Sequence, residues 1–514
     1  NRVIIAACSP RTLEPLFQDT LKEAGLNKYL LEMVNIREHC SWVHAKEKDS
    51  ATQKAKDLIR MSVARTTVLE PLKEIELPVN KTAMVLGGGI AAMTCALSIA
   101  RQGHEVHLVE KESELGGIAR RLHYTLDGMD VQSYLEDLKS KVYEHPLIHV
   151  YTDSQILEAT GYVGNFVTRV KSHKGIAEIR HGATVIAIGS REYSPKEYLY
   201  GESQKVLTQL ELEERLASED EKVAKAQNFV MIQCVGCRNE ERSYCSRVCC
   251  SQAVKNALKI KELNPQADVY VLYRDMRTYG FREDYYRETS ERDVKFIRYD
   301  PDRAPQVEVV SQGGVERIRV SVTEEIVAQE FGIDADFLIL SSAVLPAEDA
   351  EAVSQLFKVT LGPDGFFKEA HAKLRPVEFS TEGVYLCGTA HFPKHIQEVI
   401  NQANGAASRV LTLLSHDTVT SSGAICVVDE NKCVACAACM TACAYGAIEF
   451  RTVGQRKAAV VNPALCKGDG LCNSVCPTGA IMLKHFTDQE LLSQIDAAGQ
   501  EEIEEEMDKV VAAI

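Results

Sequence analysis

Cys433, Cys436, Cys439 and Cys443 are spaced as C-x2-C-x2-C-x3-C, and no other stretch of the chain is bound as tightly by its chemistry. Four soft thiolates this close in sequence surround a cubane iron-sulfur cluster, and the fourth usually serves the other cluster of a pair. A second run closes 33 residues later (476 minus 443). Both runs end on the same tripeptide, Gly446-Ala447-Ile448 and Gly479-Ala480-Ile481. This internal repeat predicts two half-modules that share two clusters. The second run departs from the pattern, because Cys466, Cys472 and Cys476 are in place but Asp469 stands where a cysteine is expected. Crossing the fourth cysteines over assigns Cys433, Cys436, Cys439 and Cys476 to one 4Fe-4S cluster. It assigns Cys443, Cys466, Asp469 and Cys472 to the other, which is expected to hold a carboxylate-ligated or labile iron, a 3Fe-4S form included, at an altered potential.

The spacing and the repeat together read as a two-cluster, ferredoxin-like module. Most of the 17 cysteines crowd into this module and one other short stretch, which implies cluster ligation in a reducing cytoplasm rather than disulfides. With 58 basic against 73 acidic residues the net charge is −15, the wrong sign for a nucleic-acid partner. No apolar run approaches the roughly 18 residues of a membrane span, so direct membrane insertion is not expected. At roughly 150 residues per domain, the 514 residues call for about three domains. The chain opens at Asn1 directly into the strand-like Val3-Ile4-Ile5-Ala6-Ala7, without an initiator Met or an apolar signal segment. The expectation is therefore an N-terminally incomplete sequence.

Hydrophobic periodicity divides the chain into a partial α/β domain over 1–75, an α/β body over 76–414 in which strands alternate with helices across Gly-rich turns, and the Cys-rich module over 424–485. Ser415 to Ala424 reads as a linker. Residues 486–514 form an acidic helical tail with Glu501, Glu502, Glu504, Glu505, Glu506 and Asp508, read as a solvated face.

Within the body, Ala83-Met84-Val85-Leu86 leads into Gly87-Gly88-Gly89-Ile90-Ala91-Ala92. A helical stretch from Met93 to Arg101 follows, then a strand at Val106–Val109 closed by Glu110 and Lys111. This is the dinucleotide fingerprint in its required context: the glycines let the backbone approach a pyrophosphate at a helix N-terminus, and the acid accepts from a ribose hydroxyl. Three later features resemble the flavin-contacting segments of thioredoxin-reductase-like proteins. They are Gly116-Gly117 just after the acid, the strand from Thr184 to Gly189, and the strand before Gly388-Thr389, which a helix follows to Ala407. The resemblance implies FAD rather than NAD, bound by a domain of 76–205 and 345–414.

Such reductases insert a second nucleotide-binding unit, for which 206–344 supplies the frame: Phe229-Val230-Met231-Ile232-Gln233, a helix from about Ser251, and Val269-Tyr270-Val271-Leu272. Its Gly-rich loop is replaced by Cys234, Cys237, Cys245, Cys249 and Cys250, which disfavours direct oxidation of NAD(P)H. Gln233-Cys234-Val235-Gly236 and Tyr244-Cys245-Ser246-Arg247-Val248-Cys249-Cys250 resemble the HdrA family of heterodisulfide reductase subunits, as do Cys8-Ser9-Pro10-Arg11 and the stretch Asn35 to His44. The family pattern implies a 4Fe-4S cluster on Cys234, Cys245, Cys249 and Cys250, with Cys237 extra. It also implies a catalytic Lys255 against the flavin ring, where a cation favours reduced anionic flavin. Cys8 and Cys40 would be two ligands of an N-terminal cluster completed upstream of Asn1. Cys95, Cys387 and Cys426 are expected to serve packing alone.

The resemblance further implies flavin-based electron bifurcation. The partners it implies are a hydrogenase or formate dehydrogenase subunit, ferredoxin, and a disulfide-reducing subunit. Two alternatives stand beside it. One is an NAD(P)H-dependent flavoprotein like the small subunit of glutamate synthase, and the other is a pure electron-relay subunit.

Overall fold

The structure is a computed structural model that describes residues 1–173, 175–312, 315–325, 329–454 and 456–498. The predicted acidic run from Glu501 to Asp508 lies outside the described residues. The chain forms two compact units, one of Pro78–Asp417 and one of Asn1–Leu77 together with Thr418–Ile514.

In the Pro78–Asp417 unit, five parallel strands lie in the order Val384–Leu386, Ala183–Ile186, Ala83–Leu86, Val106–Val109, Ile148–Tyr151. All four residues of Ala83–Leu86 are buried, as a central parallel strand covered on both faces requires, and this is why it reads as an unbroken apolar run. The helix Ile90–Ala100 buries ten of its eleven residues. It begins immediately after Gly89, three residues earlier than periodicity places it, because the turn between strand and helix is made by the glycines alone. An antiparallel sheet of Gln155–Tyr162, Asn165–Ser172 and Gly175–His181 interrupts the winding.

A second five-stranded parallel sheet has the order Val206–Thr208, Phe337–Ser342, Asn228–Val235, Asp268–Tyr273, Val294–Arg298, with its own antiparallel appendage of Gln306–Gln312, Val315–Thr323 and Glu330–Ala335. The chain crosses between the two parallel sheets through a ribbon in which Ser190–Glu192 pairs with Val344–Pro346. Two such sheets, each followed by a three-stranded antiparallel insertion, make the thioredoxin-reductase-like two-domain architecture.

In the other unit, Val3–Ala7 and Leu31–Asn35 pair in parallel beside the helices Pro10–Glu23 and Lys48–Val68. Arg65, buried, is paired with Glu32 and donates to the carbonyl of His485. The expected linker is corrected here. The helix Ile396–Ser415 runs past Ala407, since Val410, Leu413 and Leu414 continue its buried stripe. Thr418–Ser421 is a strand on Ile75–Pro78, a pairing that suits its β-branched residues. The Cys-rich module follows as two antiparallel ribbons, Cys426–Val428 with Ile481–Leu483 and Ile448–Val453 with Arg456–Val461.

Candidate functional site

The Gly-rich turn lies at the carboxyl ends of the first parallel sheet, where ligands of open α/β sheets bind. Gly87 has φ 115°, and a Cβ there would stand 2.3 Å from the carbonyl oxygen of Ala187, on the neighbouring strand's extension. A Cβ at Gly88 would stand 2.7 Å from Glu110 Oε2. A Cβ at Gly89, by contrast, would meet nothing within 4 Å, so that side of the turn is open to a ligand. Gly116 donates to Gly88 at 2.8 Å, and Gly89 bridges to Gly116, so Gly116 and Gly117 join the same turn. Glu110 is buried, and burial raises its carboxyl pKa against the backbone N–H of Glu112, which donates to Oε1 at 2.8 Å.

From the far edge of the same sheet, Gly388 has φ 77° and comes so near Ala91 that a Cβ would stand 2.6 Å from the alanine's own. Gly189 faces the Thr389 hydroxyl. Gly87, Gly88, Gly89, Ile90, Glu110, Gly116 and Gly117 thus cluster at one turn, with Gly388 and Ala91 in close approach, Gly189 and Thr389 facing each other, and Ala92 buried within the helix. Lys111 does not point into this turn, because its ammonium pairs with Asp349 at 3.2 Å on the surface. A glycine turn packed this tightly, open on the Gly89 side, at a helix N-terminus and beside a buried carboxylate, fits a dinucleotide.

Next to Thr389 opens a cavity of about 620 Å³, lined among others by Leu122, Tyr124, Lys255, Val344, Lys394 and His395. Lys255, buried on the helix Cys249–Leu263, ion-pairs with the fully buried Glu213 at 2.8 Å and donates to the carbonyl of Tyr124 at 2.6 Å. Burial lowers its pKa and Glu213 opposes that shift. Lys394, not foreseen from the sequence, donates to the carbonyl of Gly388 at 2.7 Å with its ammonium 3.7 Å from the Phe392 ring centroid. Burial lowers its pKa to about 7. No short motif marks Lys394 or Glu213, and only the fold carries Lys394 to the cavity wall and Glu213 to Lys255.

The cysteine loop occupies the end of the second parallel sheet. Strand Asn228–Val235 shifts register between Ile232 and Val235, and Cys234 takes φ 64° within that irregularity. Such a bulge re-aims a side chain beside a functional site. Cys249 and Cys250 open the helix that carries Lys255, and the backbone N–H of Arg247 donates to Cys245 Sγ at 3.3 Å. Arg247 secures the loop by donating to the Pro393 carbonyl at 2.9 Å and pairing with Glu398 at 2.8 Å. Cys237 is buried against Cys234, whose hydrogen bond lowers its pKa to about 7. Val248, Ser251 and Gln252, which bracket Cys249 and Cys250, line the cavity that Lys255 and Thr389 also line.

In the C-terminal module a small cavity is walled by Cys433, Cys436, Cys439 and Cys476, the set given by crossing the fourth cysteine over. Backbone N–H groups donate to Sγ of Cys433, Cys443 and Cys476 at 3.4, 3.4 and 3.3 Å, contacts that stabilise thiolates and set cluster potentials. Among the described residues no three His, Cys, Asp or Glu side chains converge as ligands of a single metal ion would. Cubane ligands bind separate corner irons and stand apart. Cys8 and Cys40 lie in the N-terminal piece, where Cys40 donates to the Ala51 carbonyl at 2.7 Å. Cys95 and Cys387 are buried against each other. Cys426, expected from the sequence to serve packing, is buried in the module's core, its Sγ 3.3 Å from the Sγ of the candidate ligand Cys472.

Residues 432–480 match the 4Fe-4S dicluster domain, and residues 85–140 match an NAD(P)-binding Rossmann-like domain. The chain is 33% identical to an HdrA-type iron-sulfur subunit of the CoB-CoM heterodisulfide reductase of Methanopyrus kandleri, over 88% of this chain and 82% of that protein. The chain belongs to the HdrA family of heterodisulfide reductase subunits. It is also 33% identical to the corresponding subunit of the H(2):CoB-CoM heterodisulfide,ferredoxin reductase of Methanothermobacter marburgensis, over 97% of this chain and 88% of that protein. Among solved structures, thioredoxin reductase of T. acidophilum is similar with a TM-score of 0.45 and 15% identity, over 65% of this chain and 97% of that one. As a member of this family the chain is a flavoprotein and iron-sulfur oxidoreductase subunit, with FAD and 4Fe-4S clusters as its cofactors. No helix among the described residues is long and apolar enough to cross a membrane.

Proposed function

We propose that this chain is the cytoplasmic FAD and iron-sulfur electron-transfer subunit of a heterodisulfide-reductase-like complex. In this reading it bifurcates electrons from a hydrogenase or formate dehydrogenase partner between ferredoxin and a disulfide-reducing subunit. The observation that carries the reading is the shared cavity. Its wall includes Thr389 from the flavin site, Lys255, and the residues that bracket Cys249 and Cys250. A flavin bound there supplies the exchange between paired and single electrons, and clusters supply one-electron conduits.

The chain's own residues bind and tune. The turn Gly87–Gly89 and the N-terminus of the helix Ile90–Ala100 receive the pyrophosphate, and Glu110 accepts from a ribose hydroxyl. Lys255, held by Glu213 and the Tyr124 carbonyl, places a cation at the cavity wall. Cys234, Cys245, Cys249 and Cys250 hold one cluster beside it, with Cys237 at hand. Cys433, Cys436, Cys439 and Cys476 hold a second cluster, and Cys443, Cys466 and Cys472 contribute to a third. The loop between Val235 and Cys249 has no glycine cradle for a nicotinamide nucleotide, which favours electron delivery by protein partners. The names of the relatives, which speak of H(2), formate and ferredoxin, support the partner set.

Anaerobic reconstitution of the full chain, with flavin, iron and sulfide quantified together, tests this. Three clusters with one FAD, and no bleaching by NADH or NADPH, are the expected result. Rapid flavin reduction by NADPH overturns it in favour of a nucleotide-dependent flavoprotein.

A further inference from the structure

We infer that Cys426 is the fourth ligand of the second cluster in the C-terminal module, replacing the thiolate that Asp469 fails to supply. The inference deepens the two-cluster reading and rests on it. The two half-modules are related by an offset of 33 residues (466 minus 433), and the backbone obeys the same offset. Ala435 and Ala437 have φ of 55° and 65°, and their counterparts Gly468 and Gly470 have 67° and 74°. Asp429 donates to the Ala480 carbonyl and Asn462 to the Ala447 carbonyl, both at 2.7 Å. The backbone N–H of Ala459 donates to Cys433 Sγ at 3.4 Å, and that of Cys426 donates to Cys466 Sγ at 3.5 Å. Positions 426 and 459 are thus equivalent (459 minus 426 is again 33).

Ala459 is part of the wall of the cavity bounded by Cys433, Cys436, Cys439 and Cys476. By the same symmetry the side chain at 426 faces the second site. A thiol there, 1% exposed and 3.3 Å from Cys472 Sγ, occupies space that a cubane held by Cys466 and Cys472 must use. It either bonds to that cluster or obstructs it.

The pattern of substitution favours bonding. The half that keeps Cys436 has a bare alanine at 459, whereas the half that has Asp469 in its place carries the extra thiol. Asp469 is exposed, and its Oδ1 accepts from the backbone N–H of Leu471 at 3.2 Å. A carboxylate is also the harder ligand for a site of soft thiolates. Cluster insertion deprotonates the Cys426 thiol and forms one Fe–S bond, with no change in oxidation state. The second site is then an all-thiolate 4Fe-4S site of Cys426, Cys443, Cys466 and Cys472.

The test is anaerobic reconstitution of the full chain as wild type, Asp469→Asn, Cys426→Ala and Cys426→Ser, with iron and sulfide per flavin and EPR of oxidised and reduced samples. Asp469→Asn should keep the iron content and spectrum of wild type. Cys426→Ala should lose about one iron per chain and gain the oxidised-state signal of a three-iron cluster. Cys426→Ser, with a smaller disturbance of packing, should retain iron but change the reduced spectrum. A Cys426→Ala chain with wild-type iron and spectra, or an Asp469→Asn chain that loses the iron, overturns the Cys426 assignment alone. A wild-type chain with a three-iron second site overturns it too. A wild-type module with only one cluster overturns it together with the two-cluster reading.

Discussion

Replacing Lys255 with Met removes the cation from a pair that the fold keeps almost free of water. Lys255 Nζ stands 2.8 Å from the Glu213 carboxylate, with side chains 9% and 0% exposed. At an effective dielectric of about 20, charges at that separation attract by about 6 kcal/mol before desolvation is counted. Among the described residues, the substitution leaves Glu213 with only the backbone N–H donors of His123, at 2.7 Å, and Tyr124, at 3.4 Å. An uncompensated buried carboxylate should cost about 3–5 kcal/mol of stability, while the double variant Lys255→Met/Glu213→Gln, which buries no charge, should recover most of it. Urea denaturation of the reconstituted chain, followed by circular dichroism and flavin release, measures the full cycle. A single variant that loses less than about 1 kcal/mol, or a double variant that loses the sum of the singles, refutes the coupling. The same proteins test the proposed placement of Lys255 against the flavin. Loss of the cation should lower the flavin potential by about 59 mV for each 1.4 kcal/mol of lost one-electron stabilisation. Potentials that match wild type in both variants refute that placement.

Three further outcomes are expected. Lys394 has its pKa lowered by burial to about 7, so between about pH 7 and 10.4 the unfolded chain holds a proton that the folded chain has released. Stability of the flavin-free chain should gain a positive pH slope over that window from this group, and Lys394→Met should remove it; identical slopes would count against the buried lysine. Gly87→Ala forces a Cβ to within 2.3 Å of the Ala187 carbonyl at φ 115°. It should therefore abolish flavin retention on gel filtration, and a fully loaded variant would contradict the close approach. Cys476→Ala should erase the cluster of Cys433, Cys436 and Cys439, and Cys443→Ala the other. EPR of the two variants would show the reverse loss if the fourth cysteines did not cross over.

Where function depends on local chain geometry, it was legible in the residues. The Gly-rich turn needs glycine wherever the backbone passes another strand, as at Gly87 and Ala187, and it needs a strand before it and a helix after it. All of these are adjacent in sequence. The C-x2-C-x2-C-x3-C run and its 33-residue repeat likewise encode their own geometry, because cluster ligands close in sequence leave the loop few conformations. Element ends were less legible. The stretch expected to link the body to the C-terminal module became the end of a helix and a strand, since the partner of Thr418–Ser421 is Ile75–Pro78, far away in sequence.

Side chains that meet only after folding left no local signal. Glu213 reaches Lys255 because two helices of the second sheet's domain pack together, and Lys394 reaches Gly388 through the turn that precedes a helix. Cys426 looked like an isolated core thiol until the ribbon Cys426–Val428 with Ile481–Leu483 laid it against Cys472. Sequence by itself determined which chemistries the chain can carry, because glycines and cysteine runs are constrained by neighbours along the chain. Tertiary structure alone decided which charge faces the cavity and which thiol stands beside the incomplete ligand set, because Lys255 and Glu213, and Cys426 and Cys472, are separated by tens of positions and meet only when helices, sheets and ribbons close.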